Sequence, residues 1–143
     1  MKMRVLYSSG NKKVVSYATA LGEAQDDQRS IADTIPPAYS CDRERLVVLV
    51  LSVGAKPEDK VRLFVRELTP ARAMNVAFVF ESKDKTVTPG MQQVIDTVKE
   101  AGAHAIEDNI YFVAGGGLFS SKLSVEERRE IVEWCDGIKS AIK

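Results

Sequence analysis

The chain has 143 residues, the size of one domain with one hydrophobic core. Apolar residues make up 45% of it, a globular rather than a disordered composition, and 20 Lys and Arg balance 20 Asp and Glu. A net charge of zero gives no general electrostatic reason to bind nucleic acid or an anionic membrane, although it leaves room for a local patch.

The first apolar run is Met3-Arg4-Val5-Leu6-Tyr7. It is too short for a signal peptide, and no later stretch nears the roughly 20 apolar residues of a membrane span. A cytoplasmic location is therefore expected. Val14, Tyr17, Ala18 and Leu21 then share one helical face. Residues 29–33 hold a single strong apolar side chain, Ile31, and are expected to form a short edge strand. Pro36-Pro37 stiffens the loop that follows.

Residues 46–51 (Leu-Val-Val-Leu-Val-Leu) and 76–80 (Val-Ala-Phe-Val-Phe) are continuous apolar runs, as in strands covered on both faces of a parallel sheet. Between them, Val61, Phe64, Val65 and Leu68 form a helical stripe, with Pro57 expected at the first helical position. Arg62, Arg66 and Arg72, with Glu58 and Glu67, read as a solvated helix face. Met91, Val94, Ile95, Val98 and Ala101 give the cleanest stripe, opened by Thr88-Pro89 and closed by Gly102. Residues 110–114 read as the last strand. Ser124 and Glu127 form a capping box before a helix whose apolar face is Ile131, Trp134, Cys135, Ile138 and Ile142.

Strands alternating with single helices imply right-handed crossovers and a parallel sheet, an α/β class. Five strands suit the order 2-1-3-4-5, with a switch point between the first and third strands where ligands bind. No repeat or linker divides the chain, so residues 1–143 are expected to be one domain. Cys41 and Cys135 have no metal or CxxC spacing and read as free thiols, Cys135 as a small buried hydrophobe.

The loop after the first strand is Ser8-Ser9-Gly10-Asn11-Lys12-Lys13. Hydroxyls, a glycine and a helix N-terminus favour a phosphate there. On chemistry alone a plain turn followed by a lysine-rich solvated face is an equal alternative. From Tyr7 to Val14 this segment resembles the phosphate loop of flavodoxins, which typically reads Tyr-Ser-x-Thr-Gly-Asn-Thr-Lys. The third strand followed by Ser52-Val53-Gly54-Ala55 resembles the strand and first ring loop of that family, and Glu81-Ser82-Lys83-Asp84-Lys85 its second ring loop. Residues 111–116 and the last helix resemble the remainder.

The resemblance covers nearly the whole chain and implies a flavodoxin-like three-layer α/β/α sandwich. It further implies FMN, with the phosphate on Ser8, Ser9, Gly10, Asn11 and Lys12 and the ring between Ser52, Val53, Gly54, Ala55 and Glu81, Ser82, Lys83. The expected role is that of an electron carrier between redox partner proteins rather than a catalyst in its own right. A flavin-free binding module is the alternative. The sequence differs from the family pattern in a phosphate loop about two residues shorter, without threonines, and in ring loops without aromatics. Val53 offers a weaker apolar contact, and Tyr39 and Phe119 are candidates to reach the ring from elsewhere.

Other readings of such a sheet lack their residues. A receiver needs an acidic pair where Ser8 and Ser9 stand and an Asp where Ser52 stands. A low-molecular-weight phosphatase needs Cys and Arg around its phosphate loop, and a nucleotide P-loop needs Gly-Lys-Ser/Thr. His104, the one histidine, falls away from the switch point and reads as a surface or helix-ending residue. Leu118 and Phe119, after Gly115-Gly116-Gly117, either fold onto the core, the preferred reading, or make a docking or homodimer contact.

Overall fold

The computed structural model describes residues 1–8, 12–25, 32–114 and 122–142. Among them, five parallel strands form one sheet: β1 (Met3–Tyr7), β2 (Asp33–Thr34), β3 (Glu44–Leu51), β4 (Ala73–Glu81) and β5 (His104–Val113). Their order is β2-β1-β3-β4-β5. The helices are α1 (Lys12–Glu23), α2 (Asp59–Arg66), α3 (Pro89–Ala101) and α4 (Val125–Ala141).

The unalternated run in β3 has a direct cause. Val47, Leu49 and Leu51 face one core with Val61 and Val65 of α2 and Val94, Ile95 and Val98 of α3. Leu46, Val48 and Val50 face the other with Val14, Tyr17 and Leu21 of α1 and Ile131, Cys135 and Ile138 of α4. All six β3 side chains are fully buried, each worth about 1.5–3 kcal/mol of gross burial. Burial also pushes the Cys135 thiol up to about 11, which keeps it an unreactive core residue.

α3 begins and ends as its sequence signals. Thr88 Oγ1 accepts from the Met91 amide at 3.3 Å, and the Thr88 amide donates back to Met91 Sδ at 3.4 Å. Gly102 adopts φ 107°, the left-handed region that suits glycine. α2 starts later than expected. Asp59 is its first residue and Glu58 its N-cap, while Pro57 lies buried just before the cap. Arg72 does not belong to that helix face either. It sits before β4 and donates to the Cys41 carbonyl at 3.4 Å.

No helix connects β2 to β3. Ile35 and Cys41, each 2% exposed, cover the α2 side of the sheet from an irregular, bent segment instead. Asp33 organises this segment by accepting from the amides of Thr34 (2.8 Å) and Ala38 (3.0 Å). The edge strand is Asp33–Thr34, later than the expected 29–33, of which 29–31 lie outside the described residues.

β5 starts six residues before the expected 110–114. Its polar stretch Glu107-Asp108-Asn109 hides the strand because it bulges out of the ladder: Ala77 pairs with Ile106, but Val79 pairs with Tyr111. The Trp134 indole N–H donates to the Asn109 carbonyl at 3.0 Å and steadies the bulge.

α1 and α4 are tied by a charged cluster. Lys13 is 8% exposed, not part of a solvated face. Its Nζ lies 3.3 Å from Glu127 Oε2 and donates to the Lys122 carbonyl at 3.2 Å. Tyr17 Oη donates to Glu127 Oε2 at 2.9 Å. The Ser124 amide, then Tyr17 and Lys13, hold the Glu127 carboxyl down to about 2 against the opposing effect of burial. Burial first, then the bond to Glu127, pushes the Tyr17 phenol up.

A folded-state carboxyl pKa below the ordinary 4.5 contributes stability above that pH and loses it as the pH falls toward about 2. Glu127→Gln is therefore expected to lower the melting temperature by about 2–4 °C at pH 7. The difference from the unsubstituted chain should shrink steadily below pH 4.5, as followed by thermal melts across the acid range.

Candidate functional site

Parallel strands end together, and at their carboxyl ends backbone groups lose their ladder partners. Here short polar side chains take up that role. Ser8, 2% exposed, follows β1. Its amide donates to the Val50 carbonyl at 3.3 Å and its Oγ accepts from the Ser52 amide at 3.4 Å. Ser52 Oγ donates to Glu81 Oε1 at 3.2 Å. The Ser82 amide donates to the Val113 carbonyl at 2.9 Å. A polar line thus runs from the end of β1 through β3 and β4 to β5. It crosses the switch point between β1 and β3, beside which α1 opens at exposed Lys12.

The structure therefore joins Ser8, Ser52 and Glu81. Val53 is half-buried against the core on the α2 and α3 side, while Gly54 and Ala55 are exposed. Ser82 turns away into its own loop, where its Oγ accepts from the Thr86 amide at 3.3 Å and donates to the Thr86 carbonyl at 3.2 Å. Lys83 is exposed in that turn and does not join the polar line. Ser9, Gly10 and Asn11 lie outside the described residues, as does Phe119. Tyr39 is not brought to the site. Its carbonyl accepts from Arg4 in the first half of β1, and its side chain is 80% exposed. His104 begins β5 at the opposite edge of the sheet, with Nδ1 2.9 Å from Asn75 Oδ1.

Sequence reasoning passed over Gly90, in the first turn of α3. A Cβ placed there would lie 2.4 Å from the Gly54 carbonyl oxygen, 2.9 Å from Val53 Cγ1 and 3.1 Å from the Ala55 carbonyl oxygen. The loop after β3 therefore rests directly on α3. The signal was present, since glycine is a poor residue inside a helix unless another backbone approaches closely.

The fold can be placed among solved structures. A short-chain flavodoxin associated with a non-canonical PDU bacterial microcompartment matches with a TM-score of 0.63 at 14% identity, over 99% of both chains. A flavodoxin from Streptococcus pneumonia TIGR4 matches with a TM-score of 0.58 at 9% identity, over 98% of this chain and 99% of that one. The chain has the flavodoxin-like fold. At these identities the likeness is one of fold. No protein-family model matches the sequence, and no curated protein matches it at a significant level. Within the flavodoxin-like fold, residues 52–58 and 81–88 are the loops at the third and fourth strand ends, and neither contains an aromatic residue. Among the described residues no helix is long and apolar enough to cross a membrane.

Gly90→Ala is expected to leave the fold intact while destabilising it by about 1–3 kcal/mol, because the Gly54 carbonyl must move. Urea unfolding measures the loss. Faster hydrogen exchange at the amides of residues 53–56 would locate it in that loop.

Proposed function

We propose that the chain binds FMN at the switch point and carries electrons between redox partner proteins. The observation that carries this reading is the pairing of Ser8 with Ser52 at the carboxyl ends of β1 and β3, the switch point of the sheet, with α1 opening beside it. In open parallel sheets, ligands bind at that position. The end-to-end likeness to solved flavodoxins supports the reading by analogy.

The residues fit both ends of such a group, with an aliphatic rather than an aromatic ring wall. Ser8 accepts from Ser52 through Oγ and keeps its own hydroxyl proton to donate to a phosphate oxygen. The N-terminal turn of α1 adds amide donors and the favourable end of its dipole. Ser9, Gly10, Asn11 and Lys12 complete the phosphate end in this reading. Val53 supplies the apolar wall on one side of the ring, with the backbone of Gly54 and Ala55 held in place by Gly90. On the other side Glu81 contributes a carboxylate whose position is fixed by Ser52 Oγ. When bound, the flavin supplies the electron-transfer chemistry. The chain orients it, shields one edge and sets the charge around it.

The lack of a stacking partner forfeits about 0.5–1.5 kcal/mol beyond simple burial. Val53→Tyr is accordingly expected to tighten FMN binding about two- to tenfold, as read by titration of flavin fluorescence. The test of the whole reading is an absorption spectrum of the purified protein followed by the same titration. Flavin bands, or saturable quenching in the micromolar range or below, support the carrier. A colourless protein that leaves FMN fluorescence unchanged at high concentration overturns it. That result would favour the second reading, a binding module without flavin. The observation on its side is that the Ser52 hydroxyl is already engaged by Glu81, in loops that offer no aromatic platform.

A further inference from the structure

The chain is neutral overall, but its unpaired positive charge is not spread evenly. Among the described residues, Lys12, Lys56, Lys83, Lys85 and Lys122 have side chains with neither an ion pair nor a hydrogen bond, and all five are exposed. Every one lies in or beside a loop that leaves the carboxyl end of a strand. Lys12 follows β1, Lys56 follows β3, Lys83 and Lys85 follow β4, and Lys122 follows β5. The Lys122 carbonyl accepts from Lys13 of α1, which brings the last of these loops against the first.

Elsewhere cations are largely neutralised. Lys2 and Arg43 lie by Asp42, Lys99 by Glu107 and Arg128 by Glu23. Away from this edge, the described side chains of Arg45 and Arg66 have neither an ion pair nor a hydrogen bond, and Arg72 and Lys139 bond only to neutral groups, the Cys41 carbonyl and Gln25 Oε1.

The acids of the same loops do not cancel the lysines. Glu58 lies 3.9 Å from Lys60 of α2, and Glu81 is half-buried against Ser52. Asp84 offsets one charge between Lys83 and Lys85. Glu127 is engaged by Lys13, which leaves exposed Glu126 in the first turn of α4. Residues 9–11 and 115–121, which lie outside the described residues, carry no charged side chain in the sequence.

We infer that this edge is a cationic docking face for a protein partner that presents an acidic surface. The face spans three strand spacings, about 15 Å before side chains are added, a width within a standard protein interface. Lysines closer together than a Debye length, as on a face this wide at low salt, add their fields, so they speed encounter with an acidic face and repel a basic one. That the partner is a redox protein rests on the carrier reading above. The sign of its surface does not.

The probe is poly-L-glutamate, titrated into the full chain while backbone amide and lysine side-chain NMR signals are followed, with and without added FMN. Shifts are expected to cluster at residues 56, 83, 85 and 122 and to fade between about 20 and 200 mM salt. Lys56→Glu/Lys85→Glu/Lys122→Glu is expected to weaken binding at least about tenfold, against less than about twofold for Arg45→Glu/Arg66→Glu. The neutral Lys→Gln version of the triple variant should fall between, and it serves if the reversed one does not fold. Equal losses from the two variants, shifts spread over the whole surface, or tighter binding to anionic vesicles or duplex DNA than to poly-glutamate would each overturn the inference. A protein that takes no FMN yet still holds poly-glutamate at this edge would separate the failure of the carrier reading from that of the docking face.

Discussion

Burying a central strand on both of its faces leaves a chain only the strand ends on which to place polar chemistry. Residues 46–51 of β3 impose that constraint here, since the six side chains are divided between two helical layers and none meets solvent. Neighbouring strands have to match the depth of β3, and helices have to cover it. Ser8, Ser52 and Glu81 then occupy the first positions beyond the apolar block, at the last rung of the ladder or just past it, where a hydroxyl or carboxylate can bond to its neighbours.

The same constraint explains why the site is supported from behind. The loop after β3 cannot be held by the sheet, which has ended, and it is seated on the first turn of α3 at Gly90. The N-terminal turn of α1 is likewise secured by Lys13, which reaches Glu127 and the Lys122 carbonyl of the segment before α4. Two helices on opposite layers thus fix the chain just beyond the ends of β1 and β3. An ion pair with one buried partner is weak evidence of net stability, but losing Glu127 leaves the buried Lys13 charge stranded.

Much of the fold was legible because local and global preferences agree. Residues 76–80 announce a doubly covered strand, and Thr88, Pro89 and Gly102 mark both ends of α3 by local bonding alone. The failures have equally specific causes. β5 was cut short because the bulge puts Glu107, Asp108 and Asn109 into a strand without burying them. Lys13 looked solvated because its partner Glu127 lies 114 residues away, beyond any local pattern. At the candidate site the hydroxyls could be named from the sequence, but not the bond that commits Ser52 to Glu81. The role of Gly90 depends on a loop from another strand, which no spacing rule would supply.

The β5 bulge also bears on how copies of this chain can meet. β5 is one outer strand of the sheet, and an uncovered outer strand is a template onto which a second chain can add its own backbone. The interruption of the ladder at Glu107 and Asp108 breaks that template in its middle with two carboxylates and a change of register. The other outer strand, β2, is two residues long. Among the described residues, neither margin presents the flat, continuous hydrogen-bonding row that fibril growth requires.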